Sequence, residues 1–228
     1  MGDGLFNQQG FVTDWYAEMC ASPQKCEAAI AEIISVNCAA QILECLRQQC
    51  RLLRTEGDAL VGLVKEAEKR LPAIRVGFLS ADERQAAYRL FCRVISAFGA
   101  AMARYQRLVS DFLGLEQGLS EIQVRLERAA LLLDALGPNS ASDLANRLRF
   151  HIDTERELLT SAARLGNKFR DPVCAFAFDF LPNFGTRMGE NVDFDGEGAA
   201  CSPQALRQLC IEFERKWTSL LLSLEEKD

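Results

Sequence analysis

Apolar positions along this chain recur with a helical period. Ile30, Ile34, Cys38, Ile42, Cys45 and Gln49 make one stripe at steps of three and four. Ile33, Val36, Ala40, Leu43, Cys50 and Leu53 make a second stripe beside it. Such steps bring side chains to one side of an α-helix. Together the stripes are wider than a two-stranded seam, so the pattern predicts a helix that touches at least two neighbours. Segment 81–136 carries the period on through Leu90, Val94, Phe98, Met102, Tyr105, Val109, Phe112, Leu115, Leu119, Ile122, Leu126 and Leu133. Unbroken, it would run roughly 80 Å at 1.5 Å per residue. Gly114 and Gly118 are where a kink or break is expected. Segments 140–168 and 203–225 repeat the amphipathic pattern, and no stretch alternates with period two between hairpin turns.

Start and stop signals divide the pattern. Ser22-Pro23 and Ser202-Pro203 each read as a serine cap with proline at the first helical position, where the missing N–H has no partner to lose. Ser80 to Glu83, S-A-D-E, is a capping box. Asn139 or Ser140 can cap the next segment, with Asp143 near the positive end of its dipole. Pro72 and Gly137-Pro138 read as stops. The expected fold is all-α, an elongated antiparallel helical bundle. It has a short N-terminal helix, two long central helices, and a C-terminal helix that follows an irregular aromatic and acidic connector. The expected divisions are a long-helix bundle over 1–168, a connector over 169–202 and a terminal helix over 203–228 packed on the bundle, the three parts of a single domain.

Charge then narrows the classes. A net −6 over 228 residues does not suit a dedicated nucleic-acid binder, which displaces counterions with lysines and arginines. It also speaks against anionic lipid, so membrane contact is expected to be peripheral at most. Local basic groups, at Arg47, Arg51 and Arg54 and at Arg164, Lys168 and Arg170, read as solvated helix faces. No secretory signal is visible at the start, position 6 is Phe where myristoylation wants Ser or Thr, and no apolar run approaches a membrane span. Nine cysteines without a C-x-x-C, beside one histidine, read as small hydrophobes in a reducing, intracellular or cytoplasmic setting.

Two stretches invite chemistry. Residues 190–198, E-N-V-D-F-D-G-E-G, contain half of a calcium loop. With Asn191 at position 1, Asp193, Asp195 and Glu197 fall at positions 3, 5 and 7, but position 12 is Ser202 instead of a bidentate Glu. Pro182, Gly185 and Gly189 would also break the entering helix. The loop therefore reads first as a solvated connector and no cofactor is expected. The second stretch holds Phe169, Phe176, Phe178, Phe180 and Phe184. In a helix Phe176, Phe180 and Phe184 share a face while Phe178 points elsewhere. In a strand Phe176, Phe178 and Phe180 align. Either way the five rings are a candidate protein interface, with a lid over the chain's own core as the alternative.

Enzyme signatures are absent: no phosphate loop, dinucleotide fingerprint, H-E-x-x-H or G-x-S-x-G occurs. His151 has Leu148 three residues before it, so the E-x-x-H of di-iron bundles is missing too. A cysteine nucleophile is the one enzymatic alternative. L-R-Q-Q at 46–49, L-V-K-E-A-E-K-R-L at 63–71 and the run 80–108, with Arg84-Gln85 near a helix start and apolar spacing from Phe98 to Leu108, resemble the second and third helices of the N-terminal bundle of endosomal syntaxin-type SNAREs. The resemblance covers under a third of the chain, and a heptad motif about a central glutamine has no counterpart here. It implies a regulatory helical bundle in vesicle traffic, beside which a membrane-curvature helical dimer is the related alternative. The leading expectation from the residues themselves is a non-enzymatic structural subunit or adaptor. It would bind other protein subunits, or itself, through apolar helix faces and the aromatic segment.

Overall fold

The computed structural model describes residue 17 and residues 21–35, 39–75, 80–136, 143–190 and 203–224. Among them there is no strand, and the chain is an all-α helical bundle. Its helices are α1 (Pro23–Ser35), α2 (Ala39–Arg75), α3 (Ala81–Ala135), α4 (Asp143–Cys174), a π-helical turn (Ala175–Phe180), α5 (Leu181–Glu190) and α6 (Pro203–Leu224). Ser22-Pro23 opens a helix as read, Pro203 is the first described residue of another, and α3 ends at Ala135, before Gly137-Pro138. The capping box forms as read: the Ser80 backbone N–H donates to a Glu83 carboxylate oxygen at 2.8 Å, and the Glu83 N–H donates to the Ser80 hydroxyl at 3.3 Å.

Three readings of the pattern are corrected. Gly114 and Gly118 do not break α3, which is continuous over 55 residues. Pro72 does not stop α2, which runs on to Arg75. The third correction concerns register. The buried row runs Cys26, Ile30, Ile34 and then Ala39, Leu43, Leu46, Cys50 and Leu53. From Ala39 on, the buried row follows the second stripe through Leu43, Cys50 and Leu53, while Ile42 is half-buried and Cys45 is exposed, against the first stripe. The first N–H of α2 is met from another helix. The Ala39 backbone N–H donates to the carboxylate of Glu155 at 2.7 Å, and Glu155 is only 5% exposed. A carboxylate there meets an orphan N–H and the positive end of the helix dipole together.

The chain divides into two compact units. The first comprises the described parts of Met1–Leu46 and Gly114–Leu165. Its core joins Cys26, Ile30 and Ile34 of α1 to Ala129, Leu132 and Leu133 of α3 and to Ala145, Leu148 and Ile152 of α4. The Cys26 thiol donates to the Leu132 carbonyl at 3.4 Å, so this cysteine packs as a small hydrophobe with a weak donor.

The second unit comprises the described parts of Arg47–Leu113 and Gly166–Asp228. Here α2 and α6 run antiparallel. Contacts of Arg54 with Leu224, Asp58 with Trp217, Val64 with Cys210 and Glu68 with Arg207 climb one helix as they descend the other. At Gly57 an added Cβ would run into Cη2, Cζ2 and Cζ3 of the Trp217 ring. Only glycine admits the indole there, and the Trp217 Nε1–H then donates to Asp58 Oδ1 at 2.9 Å. Likewise α3 runs antiparallel to the chain that follows Gly166: Phe112 meets Phe169, Tyr105 meets Phe176 and Phe98 meets Phe184.

Candidate functional site

The aromatic segment forms the centre of the second unit. Its helix meets Pro172 inside α4 and then widens into the π-helical turn, where the Leu181 N–H donates to the carbonyl of Phe176 five residues back. Next in that register comes Pro182, which has no N–H to give. The Ala177 carbonyl, the acceptor it would have served, receives the Gln106 side-chain amide instead, at 2.9 Å. A polar group from α3 thus repairs the gap, and α5 continues through Pro182, Gly185 and Gly189. The expectation that these residues break the helix, and that the aromatic half of the connector is irregular, is therefore corrected.

The helical alternative fixes where the five rings go. Phe176, Phe180 and Phe184 share a face, with centroids 5.3 and 5.8 Å apart in succession. Phe176 also packs against Tyr105, Phe213 and Trp217, and Phe184 lies 4.8 Å from Phe213. Phe169, Phe176 and Phe184 are buried, Phe180 is half-buried, and only Phe178 faces outward, at 44% exposure. Of the five rings of the candidate interface, Phe169, Phe176 and Phe184 thus belong to the chain's own core, and Phe178 is the one left exposed. Tilted and edge-on ring pairs of this kind add about 0.5–1.5 kcal/mol each beyond burial. Burial also raises the Tyr105 hydroxyl well above its ordinary pKa.

The other candidates are scattered. Asp193, Asp195 and Glu197 lie outside the described residues. Among the described residues no cluster of His, Cys, Asp and Glu has the form of a metal site. His151 is exposed on α4, and nearby Glu155 is committed to the start of α2. Cys26, Cys50 and Cys210 are buried, Cys92 and Cys174 half-buried and Cys45 exposed. Burial, then the charges of Glu68 and Glu214, push the Cys210 thiol up to about 12, the opposite of activation.

Large apolar side chains missed by the periodicity also reach the surface. Phe150 is 76% exposed, Leu222 63%, Leu131 58% and Val124 46%. Val124 and Leu131 stand two turns apart on one side of α3. Leu90 is exposed and Phe91 takes the inward place assigned to it. One stretch within Pro23–Arg70 is long and apolar enough by composition to cross a membrane, which corrects the expectation from unbroken runs. Ile30, Ile34, Leu43 and Leu46 along this stretch are buried, but only 33% of it is. No family model matches the chain, and no curated protein or solved structure is significantly similar to it.

Proposed function

We propose that this protein is a non-enzymatic helical subunit or adaptor that works by contact with other proteins or with copies of itself. The observation that carries the reading is the set of large apolar side chains held outward on helices, with Phe150, Leu222 and Leu131 each more than half exposed. A side chain fixed on a helix loses little further freedom on docking, so its apolar area converts into affinity with a small ordering penalty. Phe178 adds an aromatic ring of the kind that concentrates at interface centres. The raised Cys210 thiol argues against nucleophilic use of that residue.

The test is a photo-crosslinking amino acid placed in the living cell at Phe150, Phe178 or Leu222, one site at a time. Adducts of discrete mass are expected from at least one site. No adduct from any of them overturns the reading. Light scattering after size exclusion, at two concentrations in reducing buffer, then separates self-association from a different partner.

A further inference from the structure

We infer that the outward face of α3 between Arg89 and Arg107 is a docking site for an acidic helix of a partner protein, lying alongside α3. The inference rests on the contact reading above and names its partner's chemistry. The inward side of this stretch is filled by Phe91, Phe98 and Tyr105, all buried. On the outward side Ala97, Ala100 and Ala103 are exposed, with Arg89 and Arg93 before them and Arg107 after.

Size and charge together select the occupant. Alanines in the middle of an exposed face let a second helix approach at the short end of the usual 8–10 Å interaxial range. Arg93, Ala100 and Arg107 are seven residues apart, so they stay aligned against a partner crossing at a small angle. From Arg84 to Ser110 the sequence contains no Asp or Glu, although the whole chain carries 32 acids against 26 bases. Arg104 in this stretch is held by Glu56 of α2 at 2.7 Å. Arg89, Arg93 and Arg107 have no ion pair among the described residues, whereas Arg70, Arg187 and Arg207 pair with Glu66, Glu212 and Glu68. Arg89 and Arg93 are one turn apart, an arrangement in which like charges repel. Carboxylates from a partner would relieve that local conflict, and local conflicts collect at functional positions. Three unpaired arginines on a molecule of net −6 are a poor electrostatic base for nucleic acid. The alanines offer a membrane little to insert.

The probe is a four-heptad peptide with Ala and Leu along its seam and Glu on both flanks, titrated against the full chain by fluorescence anisotropy. The same seam with Lys flanks, anionic vesicles and a single-stranded polynucleotide are the comparison arms. Saturable binding of the Glu peptide is expected. It should weaken at least about tenfold in R89E/R93E/R107E, with preference passing to the Lys peptide, as charge complementarity requires. Because the three arginines are exposed, the variant should keep its helical circular dichroism. A100W, which obstructs the face without altering charge, should also lose the Glu peptide. Equal binding of both peptides, no binding of either, or binding to vesicles or polynucleotide alone overturns the inference. A crosslinker at Ala100 separates this from the broader reading. Adducts at Phe150, Phe178 or Leu222 with none at Ala100 remove this site and leave the contact function standing, whereas no adduct anywhere removes both.

Discussion

At the scale of single residues, two glycines of α2 make opposite predictions. Gly57 faces the Trp217 ring, and a methyl group there has nowhere to go. G57A should lower stability by about 1–3 kcal/mol or more, through overpacking. Gly62 has nothing within 4 Å of an added Cβ. G62A should raise stability by about 0.5–1 kcal/mol, since alanine restricts the unfolded chain and favours the helix. Urea denaturation of both variants checks the pair, and equal shifts would contradict the packing at Trp217. Glu83 predicts a pH effect. Hydrogen bonds from the Ser80 backbone, then from its hydroxyl, hold the Glu83 carboxyl below its ordinary value of 4.5. The start of α3 is therefore fully supported above that value, and the support is lost as pH falls through the lowered one. Amide exchange at the first turn of α3 should speed up over that acidic window in the wild type, and E83Q should abolish the change.

At the scale of elements, the π-helical turn depends on a distant amide. Q106L would leave the Ala177 carbonyl without a donor, a loss of about 1–3 kcal/mol for a buried acceptor. The turn's outward ring should behave differently from its inward one. F176A removes a ring that touches Tyr105, Phe180, Phe213 and Trp217 and should cost about 3–5 kcal/mol. F178A should stay within about 0.5 kcal/mol. Denaturation midpoints decide both. The sequence offered the shared face of Phe176, Phe180 and Phe184 as one of two geometries, because spacing by four needs only a local helix, and the strand alternative is not the one the chain adopts. It could not predict that α5 passes Pro182, since the compensating group is 71 residues earlier in the chain. The partner of the Ala39 N–H was hidden for the same reason: Glu155 is 116 residues away.

At the scale of the whole molecule, the thiols report the fold. Among the described cysteines, iodoacetamide at neutral pH should label exposed Cys45 first and Cys92 and Cys174 more slowly. Cys26, Cys50 and Cys210 should react only as fast as the protein opens. Rapid labelling of Cys210 would contradict both its burial and its raised pKa, and would revive a thiol-dependent activity. Mass spectrometry of digests over time reads the order directly. The expected functional surface also changes at this scale. The aromatic segment drew attention by its composition, but composition does not distinguish a ring that fills a core from one that faces outward. The outward arginines and alanines of α3 look ordinary as a sequence, and they gain meaning only once Phe91, Phe98 and Tyr105 are seen to point inward.

The sequence by itself determined that this chain is all-α, where α1 and α3 begin, and which stretches are amphipathic. These depend on caps, proline positions and the 3.6-residue period, which act within a few neighbouring residues. Only the tertiary structure decided what meets the first N–H of α2, how α5 passes Pro182, and which phenylalanines are core. Each of those depends on a group far along the chain, Glu155, Gln106 or Trp217, whose approach no local pattern records.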